Sequence, residues 1–103
     1  LYPQDHKSLI NFRASLLLSM QGALLGEVTP ELRGVTVGWT EDIIQGIFYY
    51  DCKITDDISD IVEEIETLII SGFPDYRINF KAVQNNESRL PEGLLEWVYL
   101  RAE

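Results

Sequence analysis

A chain of 103 residues supports one hydrophobic core and not two, and an apolar fraction of 46% with 24% charged residues excludes both a disordered tail and a membrane bundle. Seventeen Asp and Glu against eight Lys and Arg leave a net charge of −9, which repels phosphate backbones and anionic lipid and favours basic partners. Residues 1–103 therefore read as a single domain that binds no nucleic acid directly and no membrane.

Residues 5–25 place Leu9, Phe12, Leu16, Leu17, Met20, Ala23, Leu24 and Leu25 close to the i, i+3, i+4, i+7 template of an amphipathic helix. Asp5 is its predicted N-cap, Gly26 its left-handed C-terminal residue, and Pro30 forbids continuation. The stretch Ala14–Gly26, behind Lys7 and Arg13, has the look of a signal-peptide core, but Ser15, Ser19, Gln21 and Gly22 interrupt it. It also falls short of the roughly 20 apolar residues that span a bilayer, so it reads as a core helix. The sequence opens at Leu1 rather than Met, which predicts a natural start upstream.

From Arg33 the period changes to two: Val35, Val37 and Trp39 point one way, Thr36, Gly38 and Thr40 the other. Ile43–Cys52 is a second run rich in β-branched and aromatic residues, and the short Thr40–Asp42 link predicts an antiparallel hairpin. Thr55, followed by Asp56 and Asp57, marks the start of a second helix whose apolar stripe runs from Ile58 through Ile61, Val62, Ile65, Leu68 and Ile69 to Phe73. Gly72 and Pro74 end it. Alternation over Tyr76–Val83 and again over Leu95–Leu100 predicts two further strands, separated by a polar loop over Gln84–Gly93 that exceeds ordinary hairpin length. The expected fold is α+β, in the order α-β-β-α-β-β. Two antiparallel hairpins joined by a crossover helix make a four-stranded, mainly antiparallel sheet with both helices on one face and the other face open.

Catalytic chemistry finds little to work with. His6 and Cys52 are the sole residues of their types and stand far apart in the pattern, so neither a nucleophilic dyad nor a structural zinc site is expected. A single thiol excludes an intrachain disulfide, fits a reducing cytoplasm, and reads as a small buried hydrophobe. The acids are numerous enough for hydrolase chemistry, but they fall on the solvent side of an amphipathic helix without a predicted cleft. A calcium loop over Asp56–Thr67 fails because it holds no Gly. Neither a cofactor nor a metal is expected.

The informative feature is how the acids cluster. Between Glu41 and Glu66 lie nine of the seventeen carboxylates and one base, Lys53. A merely soluble helix would intersperse Lys at i+4, whereas acids without such partners repel one another, a cost that a cationic partner relieves. Asp51, Asp56, Asp57, Asp60, Glu63 and Glu64 are therefore the expected steering and pairing groups, with Trp39 and Tyr50 as aromatic anchors. Aromatics beside the strands have two readings, core packing or contact across an uncovered sheet face.

The run Gly22–Arg33, then Phe48-Tyr49-Tyr50-Asp51, Phe73-Pro74-Asp75-Tyr76 and the closing Glu96–Arg101 resemble a family of small bacterial immunity proteins of contact-dependent growth inhibition systems. The resemblance implies an intracellular, non-enzymatic protein that binds and neutralises the C-terminal toxin domain of a cognate effector, in related systems often a nuclease acting on transfer RNA. A basic toxin domain is then the expected partner, with the chain itself a monomer or weak homodimer. The alternative from another class is a regulatory or scaffold module that docks a partner on the open sheet face.

Overall fold

The computed structural model describes residues 5–103, and of His6 the backbone alone. The expectations attached to the His6 side chain lie outside the described residues. Helix α1 spans His6–Leu24, strand β1 Leu32–Trp39, β2 Ile43–Tyr50, helix α2 Asp56–Gly72, β3 Arg77–Gln84 and β4 Glu96–Leu100. The expected caps form. Asp5 accepts the Ser8 N–H at 2.7 Å, Thr55 accepts that of Ile58 at 3.2 Å, and Gly26 takes φ +79° just beyond α1.

The four strands form one sheet in the order β3-β2-β1-β4, an α+β fold with two helices. β1 and β2 make the expected antiparallel hairpin, with Val35 opposite Phe48 and Trp39 opposite Ile44. Val35, Val37, Ile44 and Phe48 from its inner face pack with Leu16 and Met20 of α1 and with Val62, Ile65 and Ile69 of α2 in one core, which sets both helices on the same side.

The second expected hairpin does not form. β3 runs parallel to β2, Gly46 opposite Phe80, while β4 runs antiparallel to β1, Val35 opposite Tyr99, so the two strands occupy opposite edges. The physical reason is the length of their connections. α2 returns the chain to the start of β2 and lays β3 beside it, as a crossover helix permits. The link after Gln84 then has to cross two strands, roughly 14 Å at the ordinary strand spacing, and ten or so residues accomplish that where a tight turn does not.

That crossing link also corrects the expected open face. Leu90, Gly93 and Leu94 lie against the outer side of β1. Cβ atoms placed on Gly34 and Gly38 would meet Leu90 and Leu94 at 3.2 and 3.0 Å, and one on Gly93 would meet Thr36 Oγ1 at 2.6 Å. Thr36 ties the link down, donating to the Glu96 carbonyl and accepting the Leu94 N–H, each at 2.8 Å. Tyr49 and Trp97 complete this layer with ring centroids 5.9 Å apart. A partner seeking an uncovered aromatic face, whether a second copy or another protein, finds the centre of this sheet occupied.

Candidate functional site

The expected site residues separate into three places. Asp56, Asp57, Asp60, Glu63 and Glu64 all lie on the exposed side of α2, because the stripe Val62, Ile65 and Ile69 that buries the helix points away from them. Asp60, Glu63, Glu64 and Thr67 line a shallow depression on that side. Asp51 follows β2 and its carboxylate accepts from Arg101 at 2.8 Å. Trp39 is half-buried on the helix side of the sheet, its ring centroid 5.9 Å from that of Phe12.

Tyr50 requires a correction. It is 1% exposed, within the core, and burial pushes its hydroxyl up to about 12. It faces inward because it alternates in phase with Phe48 and Ile44, so it has no surface to offer a partner.

The distribution of cations explains why α2 stands out. Arg13 pairs with Glu96, Arg33 with Glu103, Arg77 with Asp42, and Arg101 with Asp51 and Glu103, all between 2.8 and 3.2 Å. Four of the five arginines are thus held by acids outside α2. Among the described residues no Lys or Arg pairs with Asp56, Asp57, Asp60, Glu63 or Glu64. Asp56 and Asp57 gain from the positive end of the helix, but Asp60, Glu63 and Glu64 lie beyond the first turn, where that benefit has faded. An exposed carboxylate row with low-dielectric protein behind it projects a negative field and attracts cationic groups.

Glu66 was counted among the acids in the sequence but its role was not visible there. Its carboxylate accepts the Phe80 N–H of β3 at 2.8 Å, across a groove of about 390 Å³ between α2 and the outer edge of that strand. Ile54, Val62 and Phe80 supply apolar lining, Ser59, Glu63 and Glu66 polar lining. The missing signal was β3's place at an edge, which depends on the parallel pairing.

A second polar cluster closes the far end of the sheet. Arg33, 4% exposed, holds the Glu103 carboxylate with two donors at 2.8 Å and gives a third nitrogen to the carbonyls of Asn85 and Glu87 at 2.9 and 2.7 Å. The paired Arg33, joined by Arg101, brings the Glu103 carboxyl down to about 2. Since every charge here has a partner, the cluster reads as a clamp joining the crossing link, β1 and the segment after β4.

Cys52 is half-buried beside the core, and desolvation, then nearby Glu31 and Asp51, raise its pKa and keep the thiol protonated, opposite to what a nucleophile needs. Among the described residues no three His, Cys, Asp or Glu side chains converge to hold a metal ion, and no helix is long and apolar enough to cross a membrane.

Comparison with known proteins brings this surface into context. No curated protein matches the chain. A family model described as MafI2 immunity protein matches residues 13–103, a span that includes all four strands, α2 with its acid row and the arginine clamp. The immunity character expected from the resemblance is met at that level: the chain belongs to the MafI2 immunity protein family.

Proposed function

We propose that the protein neutralises a nuclease toxin domain in the cytoplasm by laying the acidic side of α2 over its basic active site, without catalysis or a cofactor. The contact-dependent growth inhibition setting belongs to the same proposal. Membership of an immunity family implies a cognate toxin, and the observation that carries the mode of binding is the row Asp56, Asp57, Asp60, Glu63 and Glu64, left without internal cations while arginines elsewhere are paired. A nuclease site must hold phosphate, so it presents cations, and a carboxylate row of this kind competes for them.

The test is binding to the co-encoded toxin domain by titration calorimetry at low and at high salt, repeated with Asp60→Lys and Glu63→Lys. We expect affinity to fall with salt and each reversal to cost about 2–5 kcal/mol if the charges pair directly with toxin cations. Tight binding that ignores both salt and charge reversal refutes the electrostatic mode.

A further inference from the structure

We infer that the groove between α2 and the outer edge of β3 receives an extended, cationic segment of the cognate toxin as a fifth strand, with Glu66 holding the place of its backbone. The inference rests on the neutralisation reading and adds to it the element of the toxin that is gripped and the route by which it docks.

The backbone argument comes first. Among the described residues β3 is paired on one side alone, with β2. Arg77 donates its N–H to the Asp42 carbonyl and Asn85 its own to the Tyr50 carbonyl, at 2.9 and 2.8 Å, while Phe80 sends its N–H the opposite way to Glu66. Successive residues of a strand alternate in the side to which they present N–H and C=O, so the odd positions serve β2 and Ile78, Phe80 and Ala82 open outward. These three span about 13 Å of strand, long enough for a short ladder. An open row of this sort is a template for another strand, and proteins commonly block it with charge. Here the block is one carboxylate on one N–H.

Charge then selects the occupant. Glu63 and Glu66 line the groove together with one base, Lys81 of β3, and Asp60 lies one turn before Glu63 on the same helix. A second copy of the chain pairing β3 with β3 would bring two such rows together, and nucleic acid or an acidic peptide would be repelled likewise. A strand bearing Lys or Arg is favoured instead, because Glu63 and Glu66, with Asp60 nearby, outweigh Lys81, the one base in the groove lining. As it pairs, a toxin carbonyl takes over the Phe80 N–H, and Glu66 turns to a toxin cation, so the donor that Glu66 satisfied is never left without an acceptor. Val62 and Phe80 supply the apolar floor for the alternate side chains.

Ala82→Pro tests this in the full chain. It deletes an outward N–H while sparing the ladder to β2, and an edge strand accommodates Pro. Ala82→Ser keeps the N–H and serves as control. With the co-encoded toxin domain we expect Ala82→Pro to weaken binding about tenfold or more and Ala82→Ser to leave it unchanged. Independently of any variant, hydrogen exchange on the wild-type complex should show the Ile78 and Ala82 amides newly protected. Unprotected amides overturn the inference, as does Ala82→Pro binding at wild-type affinity while it retains the wild-type melting curve. If those results coincide with weakened binding by Asp60→Lys, strand addition falls and neutralisation by α2 stands. If the wild-type chain does not bind the toxin at all, both fall.

Discussion

Two side chains hold together parts of the chain that are far apart in sequence, and each makes a separate prediction. Thr36 answers the Leu94 N–H and donates to the Glu96 carbonyl from a fully buried position on β1. Thr36→Val keeps the shape and removes both bonds, so it should cost about 1–3 kcal/mol of unfolding free energy, read from urea denaturation with an unchanged m-value. Glu103 carries a pH dependence. Arg33, then Arg101, holds its carboxyl at about 2, below the ordinary 4.5 it has when the chain unfolds. The stability it contributes is therefore complete above that ordinary value and lost as pH falls from there toward 2, since the unfolded state takes up the proton first. Acid unfolding followed by circular dichroism should show a shallower decline for Glu103→Gln, whose stability is already lower at neutral pH. The sequence carried a legible trace of the first contact: Gly34 and Gly38 flank Thr36 on one face of a strand, the pattern of a backbone approached closely from outside. It carried none for Glu103, because its arginine partner lies 70 residues away.

At the level of elements, both helices and all four strands were legible from periodicity, and the caps Asp5 and Thr55 from residue type. What periodicity does not encode is which strand lies beside which. Tyr76–Val83 and Leu95–Leu100 alternate as a hairpin would, and the length of the link between them was the available sign that they part. The acid row of α2 was legible as well, since the 3.6-residue period fixes which side of a helix its charges take, whereas Tyr50 belongs to the core because it alternates in phase with Phe48, and its aromatic character alone does not tell a core ring from a surface one. Repulsion along α2 makes its own prediction. Asp60 and Glu64 are like charges four residues apart, and Glu64→Lys converts them into an attractive pair. That variant should melt slightly higher, by a few tenths of a kcal/mol, yet bind the cognate toxin domain more weakly than the parent. Equal or tighter binding speaks against α2 as the working face.

For the molecule as a whole, the fold separates two kinds of charge. Arginine-paired acids fasten the ends of the sheet, while five acids without such partners share one side of α2, so a large part of the net charge of −9 is concentrated in one direction. The order of assembly also follows from the topology. β1, the most thoroughly buried strand, waits for β4, some sixty residues further along, to cover its second side. Contacts of such long sequence separation form late and slowly. A shortened chain of residues 1–84 should therefore leave Leu32–Trp39 with a bare apolar border and self-associate, which light scattering would detect and the full chain would not show. On the ribosome, where synthesis proceeds from the N-terminus at about 5–20 residues per second, the same interval passes with the nascent sheet unfinished. The elements proposed to meet the toxin, α2 and β3, thus leave the ribosome before the strand that completes their sheet, and a finished fold waits for residues 96–100.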